Sequence, residues 1–260
     1  MKKALIVTSI AFVLLLAVVA AGLNVVFTVT YIEASFSTYS LQGEEDAKSL
    51  KAELDKFVGA STTFLDLDDV KAKVKKYPAF RLESIQKKFP KTVSITLEER
   101  KELFAYEMTD GKYAIIDDEG VCMALRDDNV SRTGGENILL TDFALTVTVG
   151  APVEGAYVEA LFSVFKGLGE TMTDARSNVR EVTLNIAGSA SNPLTHLFEI
   201  EMQEGVMIKM SNPLSNAEEK AKKAMEIYND LGDIQKMYGT ITVTDSREPG
   251  QINADYDERG

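Results

Sequence analysis

The sequence has one cysteine, one histidine and no nucleophile-elbow motif, and each shortage excludes a class of protein. Because Cys122 is alone, no disulfide can form within the chain, and stability must come from packing. The histidine, His196, is placed by its neighbours Asn192-Pro193 in a predicted solvated turn. With no Gly-x-Ser-x-Gly either, the sequence does not indicate a hydrolytic triad.

Basic residues are also scarce, with 28 Lys and Arg against 40 Asp and Glu and a net charge of −12. Nucleic-acid binding depends on basic surfaces that neutralise phosphates, and adhesion to anionic lipid has the same requirement. We therefore expect no nucleic-acid partner. A chain of 260 residues can form one large domain or two smaller ones.

No pattern of metal or phosphate ligands stands out. Asp117, Asp118 and Glu119 are consecutive, and such side chains rarely converge in a tight turn. The residues after them do not have the spacing of a calcium-binding loop. We therefore favour a hairpin turn with Gly120 in the left-handed conformation. Gly134-Gly135 lacks a phosphate-loop lysine and is interpreted as a loop. The sequence thus predicts a non-enzymatic protein with no metal, cofactor or small-molecule substrate.

The longest uncharged run lies at the N-terminus, between Lys3 and Glu33. A helix of about 24 residues would be roughly 36 Å long, enough for a bilayer core of about 30 Å. This predicts a cytoplasmic tail over residues 1–3, a transmembrane helix over 4–28, and extracytoplasmic domains beyond it. A cleaved signal peptide is the alternative, less favoured because the apolar run continues past Ala21.

Periodicity beyond that run predicts the element order β-α-α-β-β. Alternation around Tyr31 indicates a strand, and two stretches with apolar residues three and four positions apart indicate helices. Pro78 ends the second helix. A hairpin follows, with a basic turn at residues 87–91, an irregular first strand that suggests a bulge, and clean alternation from Val93 to Leu97.

Several motifs occur together in the order of a known family. These are Phe89-Pro90, the alternating strand to Leu97, Glu99-Arg100 and the turn from Asp117 to Gly120. Together they resemble the FtsQ/DivIB family of bacterial cell-division proteins, and the β-α-α-β-β order resembles its POTRA domain. The resemblance implies an α+β fold. Its parts are the single transmembrane helix, a POTRA domain over 29–99, a mixed β domain with flanking helices over 100–247, and a flexible tail over 248–260.

The same resemblance implies a function. The protein would be a non-enzymatic, bitopic scaffold of the divisome at the cell membrane of the septum, recruiting and regulating septal peptidoglycan synthesis. Its partners would be small single-span coiled-coil proteins of the FtsB/DivIC and FtsL types, bound in the C-terminal part of the β domain.

The predicted contact is an exposed strand near the C-terminus. Unpaired backbone groups on an edge strand can accept a strand from a partner, a mode called β-augmentation. The last predicted strand is β-branched, uncharged and followed by a polar tail; it comprises Thr240, Ile241, Thr242, Val243 and Thr244. The alternative is that Ile241 and Val243 simply pack in the core while the threonines face water; both can hold, because augmentation uses backbone groups. A second contact could be the hairpin tip with Lys87, Lys88, Phe89 and Lys91, although a solvated turn is the favoured interpretation there.

Two other functions are alternatives to the scaffold. An exported POTRA-like assembly or chaperone factor would bind extended client segments, but it would normally continue into repeated alternating segments of about 10 residues. No such series follows here. An anchored cell-wall enzyme would need a catalytic constellation, which the sequence does not indicate.

Overall fold

The structure is a computed structural model that describes residues 10–19, 22, 26–170, 172, 174–186, 192, 195–248 and 250–259. The chain divides into two compact units, Met1–Glu99 and Arg100–Gly260. Each unit has its own sheet and its own hydrophobic core.

The N-terminal apolar segment corrects one prediction. Residues 10–19 are helical. Among the described residues, no helix combines the length and the apolar character that crossing a membrane requires. The predicted transmembrane helix over 4–28 is therefore wrong, and so is the single-pass placement in the cell membrane. The predicted tail over 1–3 lies outside the described residues.

The first unit has a three-stranded sheet with two helices. Its elements are β1 (Tyr31–Ser37), α1 (Leu41–Leu54), α2 (Leu67–Val74), β2 (Phe80–Lys88) and β3 (Thr92–Glu99). The strand order is β1-β3-β2, with β1 parallel and β2 antiparallel to the central β3. The β-α-α-β-β order is the predicted one, and the bulge in β2 is confirmed between Leu82 and Ser84.

Alternation along β3 builds the core of this unit. Val93, Ile95 and Leu97 are at most 1% exposed and pack with apolar residues of both helices, among them Leu50, Leu54, Val70 and Val74. Burying one such side chain contributes about 1.5–3 kcal/mol. Asp66 caps α2, since its side chain accepts the N–H of Asp68.

Glu99, the last residue of β3, fixes the start of α1. Its buried carboxylate accepts the backbone N–H groups of Tyr39 at 2.6 Å and Ser40 at 3.0 Å, and also the Ser40 hydroxyl. Ser40 is the N-cap residue and accepts the N–H of Gly43. A Cβ on Gly43 would lie 2.1 Å from the Glu99 carboxylate, so a larger residue there would push this carboxylate out of its position. The negative charge also suits the helix dipole.

Replacing this carboxylate tests its role. We expect Glu99→Gln to lower the free energy of unfolding by about 2 kcal/mol, because an amide offers one acceptor oxygen where two are used. Urea unfolding measures the change. The matched control is Glu45→Gln on the exposed side of α1, expected to stay within about 0.5 kcal/mol. Equal effects of the two variants would contradict the capping role.

The second unit is built on one nine-stranded mixed sheet. Its strands are β4 (Glu102–Glu107), β5 (Tyr113–Asp117), β6 (Cys122–Arg126), β7 (Ile138–Thr141), β8 (Val179–Ile186), β9 (His196–Met202), β10 (Met207–Ser211), β11 (Thr240–Asp245) and β12 (Ile252–Asp257). Their order is β12-β11-β10-β9-β8-β7-β4-β5-β6. The pairs β4–β7, β7–β8 and β10–β11 are parallel. The α+β class is therefore present, without the membrane-spanning part of that prediction.

Two helices pack on each other and on this sheet, α3 (Val158–Gly169) and α4 (Ala217–Asp230). Phe104 of β4 meets Phe165 of α3 edge to face, with ring centroids 4.7 Å apart. α4 packs against β11 and β12. The two helices thus share one hydrophobic core with the strands of this sheet.

A buried lysine ties α4 to two strand ends. The Nζ of Lys220 donates to the carbonyls of Ser211 at 2.9 Å and Asn212 at 3.0 Å, and it pairs with the Asp245 carboxylate at 2.8 Å. Asp245 also accepts the side-chain amides of Asn212 and Asn216. Burial raises the pKa of Asp245, but the hydrogen bond and charge of Lys220, with the two amides, lower the pKa more. Asp245 therefore stays ionised and holds the end of β11.

Removing the ammonium should destabilise the second unit. Breaking a fully buried ion pair costs about 3–5 kcal/mol, and Asp245 keeps some contact with solvent, so we expect about 2–3 kcal/mol for Lys220→Met. Lys223→Met on the exposed side of α4 is the control, with an expected loss below about 0.5 kcal/mol. Urea unfolding distinguishes them, and a loss no larger than the control's would contradict the assignment.

The same pair should make stability depend on pH. The pKa of Asp245 is lowered in the folded state, so its contribution is present above the ordinary aspartate pKa of 3.8 and is lost as the pH falls below it. We expect the difference in unfolding free energy between the wild type and Lys220→Met to shrink below that pH. Urea unfolding at pH 7, 5 and 3 measures it. A difference that is unchanged at pH 3 would contradict the pairing.

Candidate functional site

The predicted open strand, Thr240–Thr244, lies inside the sheet. It forms most of β11, which pairs in parallel with β10 on one side and antiparallel with β12 on the other. Its backbone is therefore used on both sides, and the prediction that it is the final, open strand is wrong. The flexible tail predicted over 248–260 is wrong too, because Ile252–Asp257 is a strand.

The side chains of β11 follow the alternative interpretation. Ile241 and Val243 are fully buried in the core of the second unit, and Thr242 is exposed on the other face. This strand is thus a structural element that carries β12.

The open margin lies one strand further out, on β12. Within the described part of the chain, no strand pairs with the outer side of β12. The register aligns Thr242 with Asp255 and Val243 with Ala254. The sheet therefore ends in a six-residue strand with one free side.

The register also tells which backbone groups face outward. The N–H of Ser246 donates to the carbonyl of Gln251 at 2.9 Å, just before β12, which makes that position a hydrogen-bonded pair. Antiparallel strands alternate hydrogen-bonded and non-hydrogen-bonded pairs. Residues 253, 255 and 257 consequently bond to β11, while the N–H and C=O groups of Ile252, Ala254 and Tyr256 point away from the sheet. Those three residues can hydrogen-bond to an added strand.

The two faces of β12 differ sharply in chemistry. Ile252, Ala254 and Tyr256 are half-buried and pack against the hydrophobic core. Asn253, Asp255 and Asp257 are exposed on the opposite face. An added strand would therefore meet an apolar row on one face and an acidic row on the other.

Tyr256 fixes the end of β12 in place. Its hydroxyl donates a shared hydrogen bond to two carbonyl oxygens, those of Gln235 and Tyr238, each 3.1 Å away. Burial, with nearby negative charge from Glu258, raises the pKa of Tyr256, so the hydroxyl stays protonated at neutral pH. Gly239 has φ of +96°, and a Cβ there would be 2.7 Å from the Tyr256 ring. Only glycine allows this contact.

The second predicted contact, the hairpin tip of the first unit, is partly engaged by its own unit. Lys87 donates to the carbonyl of Thr63 at 3.0 Å, and Lys88 pairs with Glu33 at 2.5 Å. Phe89 is 59% exposed and lies edge to face with Phe27, at 6.1 Å between centroids. Lys91 is exposed as well. These contacts suit an ordinary turn.

The residues with reactive side chains are placed away from solvent. His196, predicted in a solvated turn, begins β9, is 2% exposed and shares a hydrogen bond with the Tyr157 hydroxyl. That prediction is wrong because the alternation of β9 starts at the histidine and turns it inward. Cys122 is buried, and burial raises the pKa of its thiol to about 11, so the thiol is protonated and a poor nucleophile.

The acidic turn is structural, as predicted. Gly120 has φ of +85°, and the Asp117 carboxylate accepts the N–H groups of Glu119 and Val121. Arg100 pairs with both Asp117 and Glu119. Across the described ranges, no group of three or more His, Cys, Asp or Glu side chains could hold a metal ion.

One open cavity of about 330 Å³ lies at the ends of β4 and β7. Its walls include Tyr106, Met108, Leu139 and Phe143, and its acidic groups are Glu107 and Asp142. None of the residues singled out in the sequence lies there. The outer margin of β12 is therefore the best-defined candidate site.

A comparison with models of known protein families finds no match, and neither does a comparison with curated proteins.

Proposed function

We propose that this protein is a non-enzymatic scaffold of the bacterial divisome that binds partner proteins by accepting a strand on β12. The free side of β12 is the observation that carries the binding mode, since Ile252, Ala254 and Tyr256 offer outward N–H and C=O groups. The divisome assignment is supported by the resemblance of the motifs from Phe89-Pro90 to Gly120 to those of the FtsQ/DivIB family. The partners would be small coiled-coil proteins of the FtsB/DivIC and FtsL types.

The placement of the reactive residues supports binding over catalysis. Hydrolysis through a histidine-activated serine or cysteine needs an accessible histidine or thiolate next to the substrate. Here the histidine is inside the core with Tyr157, and the cysteine is a buried, protonated thiol. The protein would regulate septal peptidoglycan synthesis by bringing partners together, without making or breaking a bond itself.

The mechanism follows from how strands pair. Main-chain hydrogen bonds along β12 would supply affinity, and alternate side chains of the added strand would supply specificity. A disordered partner segment must be ordered as it binds, which reduces the net affinity. A receiving strand that is already fixed, by β11 on one side and by the Tyr256 hydroxyl at its end, adds no such cost of its own.

Proline at position 254 tests the binding mode. Ala254→Pro removes an N–H that points away from the sheet, so the fold should be kept, whereas an incoming strand loses a donor and meets the proline ring. We expect at least about tenfold weaker co-purification of the host's FtsB/DivIC-type and FtsL-type proteins with the full chain.

Ala254→Val is the matched control, because it keeps the N–H and favours strand geometry. It should retain partners at the wild-type level, and both variants should unfold in urea at nearly the wild-type midpoint. Undiminished capture by Ala254→Pro, or an equal loss in Ala254→Val, would contradict strand addition at β12.

A further inference from the structure

The exposed face of β12 is acidic and lacks a neutralising partner on its own sheet. Asp255 and Asp257 are exposed on the same face, and Glu258 follows directly. Asp255 makes no ion pair with any described residue. Across from it on β11 stands Thr242, which carries no charge. In the outermost row of this face, Asp255 therefore has no ion pair, and Asp257 has one only with Arg259, beyond the end of the strand.

The basic groups nearby do not cancel this charge. Lys209 of β10 is on the same face but two strands away from Asp255, and it lies 3.7 Å from Glu199. Arg259 approaches Asp257 at 3.6 Å but is 93% exposed, so solvent screens that pair strongly. The position next to β12 is consequently favourable for a positively charged side chain.

The opposite face of β12 favours apolar side chains on an added strand. Ile252, Ala254 and Tyr256 are half-buried and border the hydrophobic core. Side chains on neighbouring strands lie opposite one another on the same face, so an added strand places one row beside these residues and the other row beside the aspartates.

We infer that the partner segment received by β12 alternates basic and apolar residues, with Lys or Arg beside Asp255 and Asp257 and apolar side chains beside Ile252, Ala254 and Tyr256. This inference rests on the proposed function and adds the chemistry of the partner. Opposite charges facing each other across strands stabilise pairing, and like charges destabilise it, so an acidic or uncharged segment should bind less well.

Three labelled peptides of the length of β12 test this with the full-length protein: alternating Lys and Val, alternating Ser and Val, and alternating Glu and Val. Fluorescence anisotropy at low salt gives the dissociation constants. We expect the Lys peptide to bind about tenfold more tightly than the Ser peptide, and the Glu peptide to bind most weakly. The advantage of the Lys peptide should shrink at high salt, because exposed charges are screened.

Two sets of variants separate the effect of the aspartate charges from the effect of backbone pairing with β12. Asp255→Asn with Asp257→Asn should remove most of the Lys peptide's advantage and leave the Ser peptide unchanged. The matched control, Glu107→Gln with Asp127→Asn, removes the same charge from exposed positions on β4 and after β6 and should change nothing. Ala254→Pro should weaken the Lys and Ser peptides alike.

The outcomes distinguish the two proposals. Suppose the Ser peptide binds the wild type but not Ala254→Pro, and the Lys peptide binds no more tightly than the Ser peptide. Then the basic-partner inference is wrong, and strand addition at β12 stands. If no peptide binds, or if binding ignores Ala254→Pro, strand addition at β12 fails and the inference falls with it. If the control double variant loses as much Lys-peptide affinity as the β12 double variant, the attraction is general and the inference is wrong.

Discussion

Backbone hydrogen bonding is the constraint on which the proposed site depends, because an open sheet always leaves two margins unpaired. In the nine-stranded sheet these are β6 and β12. The start of β6 is covered by its own unit, since Cys122 exchanges hydrogen bonds with Ala151 at 3.0 Å and Gly150 at 2.8 Å. No comparable cover lies over β12 within the described residues. The difference between the two margins is what makes β12 the candidate.

A free margin is useful for binding only if it is held still. The Lys220 ammonium joins α4 to the ends of β10 and β11, and its partner Asp245 is the last residue of β11. From there the chain turns directly into β12, whose far end is fixed by the Tyr256 hydroxyl. The Lys220–Asp245 ion pair and the Tyr256 hydroxyl thus fix the two ends of the β11–β12 hairpin. A receiving strand fixed in this way loses little conformational entropy when a partner adds to it.

The sequence predicts what strong periodicity encodes and misses what weak or mixed patterns hide. The alternation of Val93, Ile95 and Leu97 is clean, and β3 forms as expected. In β12 the polar residues are two aspartates and an asparagine, which are typical of turns. The alternation with Ile252, Ala254 and Tyr256 therefore does not indicate a strand from the sequence. His196 was misplaced because its turn-like neighbours outweighed the strand that begins at it. The uncharged N-terminal run matches a membrane span by length and hydropathy alone, and no described helix has both the length and the apolar character to cross a membrane.

The acidity that hid β12 also explains how such a margin can remain open. Two copies of this protein that paired through β12 would place Asp255 and Asp257 of one copy close to those of the other, and like charges facing each other across strands are destabilising. Natural sheets use charge at their edges in this way to prevent self-association. The same aspartates favour a basic segment, so one row of side chains can reject a second copy and admit a partner. A neutral edge strand of the same length would offer its hydrogen bonds to both alike, and selectivity would have to come from elsewhere.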